Sequence, residues 1–141
     1  MPIVLIVDDE PQVRELLLRW IGAEGYQMRD AASAEAALED MALIAADIVL
    51  CDVKMPGQSG LWLTTELRAR FPESAVILIT GDRSIPPHIS MQAGVIDYLA
   101  KPFTRVEVLD AVQRALMWHR AAIVKKETRQ VRAPLTKAWG G

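Results

Sequence analysis

The sequence predicts an α/β domain of the doubly wound (βα)5 type, built on a five-stranded parallel sheet. Two observations predict it. Strand signals recur five times, clearest in the continuous apolar and β-branched run Ile3 to Val7, and a segment with helical spacing follows each. Five strands, each followed by a helix, imply βαβ crossovers and a parallel sheet with helices on both faces.

The elements follow in order. Ile3 to Val7 is a continuous apolar run, as expected of a strand covered on both faces. Val13, Leu16, Leu17, Trp20 and Ile21 recur at i, i+3, i+4, i+7 and i+8, so they share one helix face; Pro11 suits the first turn and Gly25 the stop. Residues 26–31 form a short second strand. Ser33 is placed to cap a helix carrying Ala37, Leu38 and Met41. Residues 47–51 are the third strand, which ends at Asp52. The loop Pro56-Gly57-Gln58-Ser59-Gly60 leads into a helix with Leu63, Leu67 and Phe71 on one side and Pro72 beyond its end. Residues 75–80 are the fourth strand, bounded by Gly81, and a short helix is expected after it. Residues 96–100 are the fifth strand. Thr104 and Glu107 have capping-box spacing and open a last helix striped by Val108, Ala111, Val112, Ala115 and Leu116. That helix is expected to run past Trp118 through residues 125–130, with Pro134, Gly140 and Gly141 marking a frayed end. The expected division is a domain over residues 1–120 and, over 121–141, a helical extension with a flexible basic tail or linker.

Composition narrows the function classes. Of the 141 residues, 51% are hydrophobic and 24% charged, a globular balance rather than a disordered one. No apolar run reaches the roughly 18–20 residues that span a bilayer, and the first ten residues have no basic leader, so neither a membrane protein nor a signal peptide is expected. A lone cysteine, Cys51, fits a reducing cytoplasm. The net charge of −2 conceals an asymmetry: 10 Lys/Arg face 17 Asp/Glu through Trp118, against 6 and 1 from His119 onward. An acidic body makes nucleic acid an unlikely partner of the domain itself, and the basic tail reads as a solvated linker.

The residues that carry chemistry are all placed alike. Asp8 and Asp9 close the first strand, Asp52 the third, Thr80 the fourth and Lys101 the fifth. In an open parallel sheet, ligands bind at the carboxyl ends of the strands. The strand order 2-1-3-4-5 makes strands one and three neighbours at the switch point, where the three aspartates converge. Three carboxylates in one crevice repel one another unless a cation joins them, and hard oxygen donors select Mg²⁺ or a similar ion. Singly, each residue has a plain reading: Asp9 or Glu10 as a helix cap, Thr80 as a strand end, Lys101 as a surface lysine. Together, at the ends of four strands, those readings lose their force.

The stretches IVDDEP (6–11), CDVKMPGQSG (51–60), ILITG (77–81) and DYLAKPF (97–103) resemble the receiver domain of bacterial two-component response regulators, over about residues 2–120. The resemblance implies a flavodoxin-like fold and a phosphorylation switch. It implies that Asp52 is the phosphoacceptor and that Asp9 ligates Mg²⁺ directly, with Asp8 acting largely through water. The backbone carbonyl of Lys54 would be the third protein ligand, Thr80 the switch hydroxyl and Lys101 the lysine that pairs with phosphate. Tyr98 would be the aromatic that turns with activation, and the Lys101–Pro102 bond would be cis. The phosphoryl donor would be a sensor histidine kinase or a phosphotransfer protein. The face of the short helix, fifth strand and last helix is the usual partner or homodimer face in the family, and through it the switch would control an output partner or domain. No separate enzyme activity is expected, only promotion of the domain's own phosphorylation and dephosphorylation. One departure stands out: the segment from Thr80 to Lys101 is about one residue short for the family, and Pro86-Pro87 push Ile85 out of helical geometry.

Two rivals use related sheets. A haloacid-dehalogenase-type phosphatase carries a second aspartate two residues after its nucleophile, where this chain has Lys54. A flavodoxin-like FMN carrier needs a Ser/Thr-rich phosphate loop after the first strand, which is missing here. Cys51 reads as an inert core thiol, His88 and His119 as surface histidines, and Trp20 and Trp62 as helix packing.

Overall fold

Alternation explains why the apolar runs are continuous. Successive residues of a strand point to opposite faces, so a strand covered on both sides is apolar at every position. In the computed structural model, which describes residues 1–81 and 94–140 with side chains through Gln130, β1 (Ile3–Val7) sends Val4 and Ile6 into one core and Leu5 and Val7 into another. The strands β3 (Ile48–Asp52) and β4 (Ala75–Thr80) divide in the same way: Leu50 and Ile77 on the first side, Val49 and Leu78 on the second.

The first core is closed by α1 (Pro11–Gly22) through Leu17 and Ile21, and by the last helix, α4 (Arg105–Gly140), through Val108, Ala111, Val112 and Ala115. The second is closed by α2 (Ala34–Leu43) through Ala37 and Met41, and by α3 (Gly60–Arg70) through Leu63 and Leu67. Burying each large apolar side chain contributes roughly 1.5–3 kcal/mol, which is what fixes the helices to the faces their stripes dictate. With β2 (Gln27–Ala31) and β5 (Val95–Ala100), the sheet is five-stranded and parallel in the order β2-β1-β3-β4-β5, as the sequence predicts.

The caps are largely those read from sequence. Ser33 Oγ accepts from the Ala36 N–H at 3.1 Å, and Thr104 and Glu107 bond reciprocally, Glu107 N–H to Thr104 Oγ1 at 3.2 Å and Thr104 N–H to Glu107 Oε1 at 3.1 Å. Pro11 opens α1, but that helix ends at Gly22, and Gly25, with φ of 96°, makes the following turn instead of the stop. The backbone is helical past Pro134 to Gly140. A proline removes one donor from the ladder, but its neighbours Ala133, Leu135 and Lys137 are good helix formers and can continue it. The short helix expected after Gly81, with Pro86, Pro87 and His88, lies outside the described residues.

His119 corrects a second expectation. It is not a surface residue: its Nε2 lies 3.0 Å from Asp47 Oδ1 and its Nδ1 2.6 Å from the Glu73 carbonyl, pinning α4 to the amino-terminal rim of the sheet. Asp47 in turn accepts the Ile3 N–H at 2.7 Å through its other oxygen. Trp118 packs beside it, with the Arg68 guanidinium 5.2 Å from its ring centroid. Trp20 packs as expected, edge-on to Phe103 at 6.2 Å between ring centroids.

Candidate functional site

Parallel pairing brings the strand ends together at the opposite rim. Val7 pairs with Cys51 and Asp52 with Ile79, so Asp8, Asp52 and Thr80 each stand at the carboxyl edge of neighbouring strands. The Lys101 N–H donates to the Thr80 carbonyl at 2.8 Å, which carries the lysine onto the same edge, and the Lys101–Pro102 bond is cis. Asp8, Asp52 and Thr80 are all buried.

One oxygen from each of Asp8, Asp9, Glu10 and Asp52 lies within 4.8 Å of the others. Lys101 Nζ sits against this group, 3.2 Å from Asp52 Oδ2, 3.2 Å from Glu10 Oε1 and 3.7 Å from Asp8 Oδ2. The reading of Lys101 as a surface lysine is therefore excluded. So is the cap reading of Glu10, whose side chain makes no cap bond although its backbone occupies the cap position of α1. Sequence reasoning missed Glu10 as a member of the acidic group. Its one signal was adjacency to the Asp8–Asp9 pair, and only the turn into α1 sends it back toward Lys101.

The Asp8 carboxylate is held rigidly. Its Oδ1 accepts the Glu10 N–H at 2.8 Å, while its buried Oδ2 has no hydrogen-bond partner among the described residues. An orphaned buried carboxylate oxygen costs free energy, and here it faces three further carboxylates. That donor set fits a hard divalent cation, which would supply the missing partner and offset the repulsion. Lys54 turns its N–H toward Asp52 Oδ1 at 3.1 Å.

Burial raises the Asp8 carboxyl to about 6; the Glu10 N–H opposes this, the Asp52 charge adds to it and Lys101 subtracts. Burial also works to lower Lys101. Its hydrogen bond to Asp52 and the charges of Asp52 and Asp8 outweigh that, and its ammonium titrates above the ordinary lysine range. Burial pushes the Cys51 thiol up, so it stays protonated and inert as expected.

The Asp8 shift has a sign for stability. The folded chain holds that proton to about pH 6 and the unfolded chain only to the ordinary carboxylate range. Asp8 therefore favours the ion-free fold fully below the unfolded value, and the contribution is lost as pH rises through 6. Asp8→Asn is expected to raise the Tm of chelator-treated protein at pH 7.5 by several degrees, and the gain should vanish near pH 4. Thermal scans in EDTA at both pH values check this; a gain of equal size at both would contradict it.

Packing under Asp52 depends on Gly60, which sequence reasoning noted only as a loop residue. A Cβ there would lie 2.0 Å from the Asp52 carbonyl oxygen and 2.9 Å from Cys51 Sγ. The glycine lets the first turn of α3 press on the strand end that carries the carboxylate. Tyr98, on the edge strand β5, is 55% exposed.

A five-stranded parallel domain with an acid cluster and a lysine at its carboxyl rim defines a class: a switch domain organised around a strand-end carboxylate. Residues 4–113 match the response regulator receiver domain family, and the chain belongs to that family. It is a receiver domain of the two-component type, for which phosphorylation on aspartate is the family function. Among similar proteins, it is 38% identical over 122 residues to the transcriptional regulatory protein AruR of Pseudomonas aeruginosa, covering 82% of this chain and 50% of that one. It is 34% identical over 137 residues to the regulatory protein AtoC of Escherichia coli, covering 96% of this chain and 29% of that one. Among solved structures, TrrA of Thermotoga maritima in complex with Mg²⁺ and BeF superposes with a TM-score of 0.75 at 33% identity, covering 82% of this chain and all of that one. The chain thus spans half or less of the length of these curated relatives. Among the described residues no helix is long and apolar enough to cross a membrane.

Proposed function

We propose that Asp52 is the phosphoacceptor of this receiver domain and that a sensor histidine kinase or phosphotransfer protein is the donor. The observation that carries the reading is the meeting of Asp52 with Asp8, Asp9, Glu10 and Lys101 at one rim of the sheet. Asp9, Asp8, Asp52 and the Lys54 carbonyl would hold Mg²⁺, and TrrA, the relative solved with Mg²⁺ and BeF, supports that choice of ion. When bound, the ion offsets negative charge on the phosphoryl oxygens.

The chain's own residues do the rest. An oxygen of Asp52 attacks phosphorus in line; the P–N bond of phosphohistidine breaks as the P–O bond of the aspartyl phosphate forms, and the imidazole leaves as the neutral ring after taking a proton. Lys101, already 3.2 Å from Asp52, is positioned to pair with a phosphoryl oxygen. The new phosphate then offers acceptors to Lys101 and to the Thr80 hydroxyl. Lys101 already bonds Asp52 and Glu10 at 3.2 Å, so the switch is driven by the difference between those bonds and the stronger ones to a doubly charged phosphate. A difference of about 5.5 kcal/mol inverts a 1:99 equilibrium. Dephosphorylation by water at the same site resets the switch. Tyr98 turning inward would remodel the β5–α4 surface, where a homodimer or an output partner docks, and residues 121–141 would lead outward from the domain of residues 1–120.

The test is intact-mass analysis after incubation with phosphoramidate or acetyl phosphate. One added phosphoryl group is expected with Mg²⁺ and none with EDTA; labelling indifferent to Mg²⁺ would remove the metal assignment.

A further inference from the structure

Arg14 is a cation where a helix least favours one. It lies near the amino terminus of α1, whose dipole favours anions, and its side chain is only 18% exposed. Its two contacts explain the placement. Nη1 donates to the Asp8 backbone carbonyl at 2.7 Å, and Nε donates to Asp30 Oδ2, on the end of β2, at 3.2 Å. The planar guanidinium fixes two donors in one fork, so the carbonyl of Asp8 is held at a set distance from the neighbouring strand.

Two other groups of Asp8 are also committed. Its N–H donates to the Ala31 carbonyl at 3.2 Å, again on β2, and its Oδ1 accepts from Glu10. Arg14 therefore adds the tie on the carbonyl of the peptide that joins Asp8 to Asp9. That peptide aims both carboxylates.

We infer that Arg14, braced by Asp30, is a positioning residue for the acidic pair: its bond to the Asp8 carbonyl presets the Asp8–Asp9 peptide for a divalent ion, an effect that outweighs the repulsion its charge exerts on that ion. The inference rests on the proposed metal reading of Asp8, Asp9 and Asp52. Partners that orient metal ligands from behind typically change metal affinity 10–100-fold when removed. Arg14→Gln should accordingly weaken Mg²⁺ binding about tenfold or more. Arg14→Lys, which can keep the bond to the Asp8 carbonyl, should recover part of that loss. Asp30→Asn, which leaves the Arg14 bond to Asp8 but loosens its brace, should weaken binding by a smaller factor in the same direction.

The experiment is isothermal titration of Mg²⁺ into the full chain and the three variants, with Tm measured in EDTA and the Mg²⁺ concentration for half-maximal phosphoramidate labelling measured alongside. A positioning role shifts the calorimetric Kd and the half-maximal Mg²⁺ concentration by the same factor, in the order Gln, Lys, Asn at the respective sites. A merely structural tie between α1 and β2 lowers Tm and leaves the Kd of the folded protein unchanged; that result overturns the inference. Should Arg14→Gln not fold, the Lys and Asp30→Asn variants decide alone, and wild-type Kd values in both overturn it. If the unaltered chain binds no Mg²⁺, the metal reading fails and this inference falls with it, which separates the two failures.

Discussion

Replacing Asp52 with asparagine is expected to abolish phosphoryl labelling while leaving the fold intact. The side chain keeps its shape, and its Oδ1 can still accept the Lys54 N–H seen at 3.1 Å. What it loses is the anionic nucleophile and the charged partner of Lys101 Nζ at 3.2 Å. The neighbouring carboxylates are poor substitutes. Asp8 is fully buried and its Oδ1 is engaged by the Glu10 N–H, so it is not free to swing to an incoming phosphorus. Glu10 is more open, with a side chain 55% exposed, but it stands on the turn before α1, beyond the end of the strand that carries Asp8, and its Oε1 is held 3.2 Å from Lys101 Nζ. Intact mass should show no added phosphoryl group under conditions that label the unaltered chain fully, and far-UV circular dichroism should be unchanged. Removing one of four crowded carboxylates should also stabilise the ion-free protein slightly. Labelling at an undiminished rate would assign the nucleophile to another carboxylate of the cluster and overturn the role of Asp52.

Much of this site was legible because a strand covered on both faces is apolar until it leaves the sheet. The first polar residue after each doubly covered run therefore marks the rim: Asp8 after Val7, Asp52 after Cys51 and Thr80 after Ile79. Lys101 follows the edge strand β5, whose Asp97 and Tyr98 break the pattern. The helix stripes assign faces in the same way, and Leu17, Ile21, Leu63 and Leu67 are buried where their spacing puts them. Residues whose role depends on the angle between elements were not legible. Glu10 reads as a cap until the turn before α1 folds it toward Lys101. Arg14 carries no signal of its own in the sequence, and only the fold brings Asp30 of β2 beside it. His119 reads as a surface residue because nothing local shows that Asp47 and Glu73, at the start of two strands, end next to α4. Each of these contacts joins groups distant in sequence and has no periodic signature.

Gly60→Ala is expected to be strongly damaging, because the added methyl would meet backbone rather than a side chain. An added Cβ would fall 2.0 Å from the Asp52 carbonyl oxygen, 2.7 Å from its carbonyl carbon and 2.9 Å from Cys51 Sγ. A flexible side chain could yield to such an overlap, but two of these atoms are backbone at the end of a buried central strand. The glycine is tied on its own side as well: its N–H donates to the Val53 carbonyl at 3.0 Å and its carbonyl accepts the Thr64 hydroxyl at 2.7 Å. Relief therefore requires α3 to lift from the sheet or the Asp52 peptide to move. Overpacking a rigid site costs typically 1–3 kcal/mol and occasionally more; with backbone as the obstacle, about 3 kcal/mol or more is expected. Gly22→Ala is the contrast. Its Cβ would meet only Met28 Cγ at 3.3 Å, the end of a flexible side chain, and alanine favours the helix, so that change should be neutral or slightly stabilising. Urea unfolding of both variants measures the difference. Phosphoramidate labelling of whatever Gly60→Ala protein remains folded should also slow, because the carbonyl that the methyl displaces belongs to the acceptor residue itself. A Gly60→Ala chain as stable as Gly22→Ala, with labelling at the rate of the unaltered chain, would mean that the first turn of α3 does not press on the acceptor strand.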